Sequence, residues 1–157
     1  MPNNELTNYR NRAARALVLL HEESLRALLP VWKRAKAAKV QLPSTTNAAY
    51  ASLDTILHHA LRAARSFMMT FCEKLGLPDP GIDEVPDASR VEKEADRYVE
   101  HLLERWRLPL AGVDDKGLET TYKTQRGEDR TIMTSLEHAV MHPQRHRFQL
   151  QELLEKR

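Results

Sequence analysis

Apolar residues recur at intervals of three and four along four separate stretches of this chain, and that spacing restricts its fold more than any other feature. Ala14, Leu17, Val18, Leu25, Leu28 and Trp32 mark the first stretch, from about residue 5 to 37. Leu53, Leu57, Ala60, Ala64, Phe67 and Phe71 mark the second, which Ser52 is placed to cap and which runs to about Leu75. Val91, Ala95, Tyr98, Val99, Leu102 and Trp106 mark a third near 87 to 107. Ile132, Leu136, Ala139, Val140, Leu150 and Leu154 mark a fourth, beginning near Thr131 or Thr134. Each pattern gives a helix one apolar stripe, and a stripe has to be covered by another element. Four such helices in 157 residues predict a single all-α domain over 1–157, most simply a four-helix bundle.

The breaks between the stretches fit that reading. Of only five glycines, four lie between 76 and 117, and "GLPDPGIDEVPD" stops the second helix. The segment from Pro109 to Arg130 predicts an irregular piece before the last helix, with a short hairpin around Arg126 and Gly127. Pro30 is expected to kink or end the first helix, because proline lacks the backbone donor and disfavours helical geometry at Leu29.

Charge and hydropathy exclude several function classes. The 24 Lys and Arg are interspersed with 22 Asp and Glu, for a net charge of +2, so no basic stripe for nucleic acid is expected. The longest apolar run, "ALVLL" at 16–20, is far short of the roughly 18 residues that span a bilayer. "MPNNELTNYRNR" lacks the apolar core of a signal peptide, which makes a cytoplasmic location the expectation. Cys72 is the single cysteine, so no intramolecular disulfide forms, and it reads as a small buried hydrophobe.

The chemistry-bearing stretch is "HAVMHPQRHRFQL", residues 138–150. Residues i and i+4 lie one turn apart and about 40° round a helix, so His142 and His146 can present imidazoles to one ion. His138 lies a turn further back and is less well placed. Two ligands hold a metal weakly, and "LHHAL" in the second helix offers a third in His58 or His59. These two flank the apolar face on opposite sides, and periodicity does not choose between them. If the choice is His59, three imidazoles make a facial set with a coordination position left open, as catalytic zinc sites have. Imidazole suits zinc, nickel, copper and iron alike. The HExxH pattern of zinc proteases is absent.

"SLDTILHHALRAARSF", followed some eighty residues later by "HAVMHPQRHRFQLQELL", resembles the DinB/YfiT-like family of metal-dependent enzymes. The resemblance implies a four-helix bundle and covers the chain in helix order and length. Its second-helix histidine falls on His59, its paired histidines on His142 and His146, and its following R-x-Q on Arg147 and Gln149. Phe148 stands where the family commonly has glycine, and Pro143 inside the histidine turn departs from a helix interior. The activity implied is thiol chemistry: relatives transfer groups using low-molecular-weight thiols such as bacillithiol or mycothiol, with a divalent zinc, nickel or iron ion activating the thiol. A thiol S-transferase acting on small electrophiles, in a homodimer, is therefore expected. A metal-dependent hydrolase would use the same ligands, and a non-catalytic stress-related bundle acting through dimerisation or partner binding is the reading of another class.

The other candidates are weaker. His21 lies on the apolar face of the first helix and reads as a hydrogen-bonded core residue or a pocket wall. His101 reads as a surface residue beside Glu100 and Glu104. Arg147 would face the apolar side of a straight helix, which makes it a candidate to pair a carboxylate at the site rim or bind an anionic substrate. No general base stands out, since Glu137 points off the histidine stripe and Asp54 lies five residues before His59.

Overall fold

The computed structural model describes residues 6–156. Residue 5 of the expected opening helix, and part of the segment read for a leader, lie outside those described; residues 6–11 are described and are not α-helical, so the first long helix starts at Arg12, where Asn11 caps it, rather than near residue 5. Among the described residues the order is α1 (Arg12–Ala37), a 3-10 turn (Ala48–Tyr50), α2 (Leu53–Lys74), α3 (Val91–Trp106), α4 (Asp115–Leu118), β1 (Thr121–Lys123), β2 (Asp129–Thr131) and α5 (Ile132–Glu155). The protein is mostly helical, as the four stripes predict, and no helix is long and apolar enough to cross a membrane among these residues.

Three of the long helices begin where a side chain satisfies their free backbone donors. Asn11 accepts from the Ala14 amide, Thr131 from that of Thr134, and Ser52 from that of Thr55, whose own hydroxyl side chain completes a capping box. α3 starts at Val91, later than the expected 87, because Asp87 closes a turn with its carboxylate on the Ser89 amide and its carbonyl on that of Arg90. Glu92 and Glu94 then supply negative charge to its first turn.

The expectation that Pro30 ends or kinks the first helix is corrected in one respect: α1 runs through it to Ala37. Pro30 is exposed, so the carbonyl freed by its missing donor is on the side that water can reach. α5 likewise runs through Pro143, here on its buried side.

One apolar core takes residues from all four long helices. α1 lies longest against α5, while α2 packs on both α5 and α3. Two buried tryptophans fix α2 between its neighbours: Trp32 donates to the Leu53 carbonyl at 2.6 Å and Trp106 to that of Ala64 at 3.0 Å. The 76–90 connection is pinned to the helices by Arg65 on the Ile82 carbonyl, Tyr98 on the Asp83 carbonyl, and the Asp83 amide on His101 Nε2. His101 is thus half-buried and bonded, rather than the surface residue expected, because this loop folds back over α3. The short hairpin is antiparallel, pairs Tyr122 with Arg130, and turns at Gly127, whose φ of 82° favours glycine. Its Tyr122 hydroxyl meets Ser135 at 2.7 Å, which ties the irregular piece to α5.

Candidate metal centre

α2 and α5 lie side by side, and that packing brings His59 of the first against His142 and His146 of the second. One ring nitrogen of each lies within 4.8 Å of the others. His59 Nε2 and His142 Nε2 are 3.2 Å apart, and the three ring centroids are separated by 4.8 to 5.4 Å. The adjacent histidine goes elsewhere: His58 Nδ1 meets the Pro86 carbonyl at 2.8 Å. His138, one turn before His142, packs on Phe67 and stays out of the cluster.

The local chemistry prepares these rings for a cation. His146 is 2 % exposed, and its Nε2 is buried with no hydrogen-bond partner among the described residues. Its Nδ1 lies 3.4 Å from the Gln149 side-chain oxygen Oε1, which only accepts, so the ring proton belongs on Nδ1 and the Nε2 lone pair is unshared. Gln149, three residues on, therefore orients His146 in the way that outer groups orient metal ligands. His142 Nδ1 is also buried, and no described residue bonds it.

Burial is the first reason that all three rings stay neutral. It pushes His142 down to about 3, helped by its neighbours His146 and His59 and by Arg145. His146 is pushed down to about 4 by burial, against a raising hydrogen bond to Gln149. His59 is lowered by burial, then by the charges of Arg62 and Arg145. Neutral imidazole is the form that ligates a metal, and an orphaned buried nitrogen costs free energy unless something binds it. An all-nitrogen donor set with no carboxylate fits a borderline divalent ion such as zinc, nickel or iron.

The surroundings were only partly foreseen. Tyr50 packs against His59 and His146, with ring centroids 6.0 and 5.7 Å away. It ends the polar connection "QLPSTTNAAY", where no periodic signal marks a residue as inward. Arg62 and Arg145 are exposed beside the ligands, one on each ligand-bearing helix. Arg147, by contrast, donates to Gln144 at 2.7 Å and Gln151 at 3.4 Å on its own helix and lies over Phe148. Among the described residues, none of these contacts reaches the three histidines.

Two outlying candidates are settled by burial. Cys72 is enclosed, with its thiol pushed up to about 11 by burial, so it packs as the small hydrophobe expected. His21 is fully buried and stacks on Trp106 at 3.6 Å, but neither ring nitrogen has a hydrogen-bond partner among the described residues. That corrects the expectation of a hydrogen-bonded core histidine. The flat face of the indole covers the ring without offering it an acceptor.

The chain matches no family model, no curated protein and no solved structure.

Proposed function

We propose that this chain is a metal-dependent enzyme of the DinB/YfiT-like kind, a four-helix bundle with a divalent ion on His59, His142 and His146. The observation that carries this reading is the convergence of three neutral imidazoles from two helices, two of them with a buried nitrogen that no described residue satisfies. Three protein ligands leave a place for a substrate atom, which separates catalytic from closed structural sites. An ion bound there would supply Lewis acidity, lowering the pKa of a thiol or water that joins it.

The reaction we assign is thiol S-transfer to a small electrophile. The thiol's sulfur forms a bond to an electrophilic carbon, the leaving group departs with its bonding pair, and the thiol proton passes to solvent. The chain's own residues hold the arrangement. Gln149 fixes the ring of His146, and the Tyr50 ring covers His59 and His146 on one side. A hydrolase would place water where the thiol stands.

Elemental analysis of untagged protein tests the reading. About one equivalent of zinc, nickel or iron is expected in the parent, and none in a His59→Ala, His142→Ala variant. A metal-free parent that also fails to take up added zinc or nickel would leave a helical interaction module instead.

A further inference from the structure

The three histidines do not meet solvent equally. His146 is buried, whereas His59 and His142 are half-buried, so the accessible edge of the cluster is theirs. One turn on from each stands an exposed arginine: Arg62 three residues after His59 on α2, and Arg145 three residues after His142 on α5. Beyond burial and the other imidazoles, the charges that bear on the three rings are those of these arginines. Arg62 and Arg145 both act on His59, and Arg145 also acts on His142 and His146. Two guanidiniums from different helices therefore bear on the same edge of one site.

Neither cation is committed elsewhere. No residue three or four positions from either arginine on its helix is acidic, so the usual helical ion pair is not open to them. Among the described residues neither guanidinium has an ion pair or a hydrogen bond. Their helical neighbours differ: Arg65 holds the Ile82 carbonyl and Glu84, and Arg147 holds Gln144 and Gln151. The three-histidine donor set contains no carboxylate either. A divalent ion on neutral imidazoles would therefore add two charges beside two more of the same sign, with no anion in the donor set to offset them. Such a surplus weakens the hold on a bare ion and favours an anion that arrives with the incoming ligand.

We propose that Arg62 and Arg145 form an oxyanion-binding position beside the histidine centre, so that the molecule completing the ion's shell is a small one carrying a carboxylate or similar oxyanion as well as its donor atom. The inference rests on the metal reading above and names the substrate class of that site. A guanidinium presents a planar fork of donors that matches such a group, and one arginine from each ligand-bearing helix holds it at the His59 and His142 edge.

Cobalt(II)-loaded protein provides the test, with the sulfur-to-cobalt absorption band as the readout. The probes are 3-mercaptopropionate and 2-mercaptoethanol, which offer the same donor atom with and without a carboxylate. Arg62→Gln and Arg145→Gln each remove one charge from an exposed position and keep a good helix former. The parent is expected to bind the carboxylate thiol more tightly than the neutral one, and each substitution to cut that preference by about fivefold, as for one ion pair. Cobalt affinity without thiol should stay equal or rise in both variants, because a like charge has gone. That sign separates anion binding from a structural role, whose loss would weaken the hold on cobalt. Equal binding of the two thiols by the parent, a preference that both substitutions leave intact, or a variant that holds cobalt less tightly would overturn the inference while the metal reading stands. A parent that takes up no cobalt, visible before any thiol is added, would remove both.

Discussion

His21 shows what a single buried imidazole does to stability. Its ring is enclosed against Trp106, and burial pushes its pKa down to about 3 from an ordinary 6.5. The folded value lies below the unfolded one, so between them the unfolded chain binds the extra proton. The contribution is therefore whole above pH ~6.5 and is lost as pH falls toward about 3, by about 1.4 kcal/mol per pH unit. His21→Phe keeps a ring against Trp106 and titrates nothing. Denaturant midpoints of metal-free protein between pH 4 and 6 should show a stability slope smaller than the parent's by about that amount, and an unchanged slope would contradict a neutral buried His21. The sequence placed this residue on the apolar face correctly. It gave no sign of the missing hydrogen bond, because that depends on which partner lies opposite. Gln149 is the contrary case: three residues after His146 on one helix, its contact follows from spacing alone.

At the scale of elements, α2 decides where the site forms. Ser52 starts it with a reciprocal cap, and His59 follows two turns later. Ser52→Ala removes the acceptor for the Thr55 amide and should cost about 1 kcal/mol, read as a lower denaturant midpoint with unchanged helical content. A loss much above this would mean that the cap also secures the Tyr50 connection. The start, end and core stripe of α2 were legible, but the choice between His58 and His59 was not. Both flanks of the helix are covered, one by α5 and the other by the 76–90 connection, and Ile56 and Leu61 are both buried. An apolar stripe that wide leaves no polar edge to orient the two histidines. Pro30 failed as a stop signal for a related reason, since the packing of Leu28, Leu29, Val31 and Trp32 around it holds the helix through one lost backbone bond.

For the whole molecule, four stripes were enough to predict a mostly helical fold, because burying them is the dominant favourable term. The hairpin before α5 was legible from Gly127, while the single turn α4 carries too little pattern to be read. The packing of Tyr50 on the histidines was not foreseen. It comes from the connection between α1 and α2, whose residues acquire a direction only when the helix ends are fixed. The reading as a metal enzyme therefore stands on what packing brings together: two helices distant in sequence, three neutral rings and two buried nitrogens that no described residue bonds. The most direct test is X-ray absorption at the zinc edge of zinc-loaded protein. Three imidazole nitrogens at about 2.0–2.1 Å are predicted, with one further light ligand completing the shell. A shell made of oxygen alone, or one containing the Cys72 sulfur, would contradict the account.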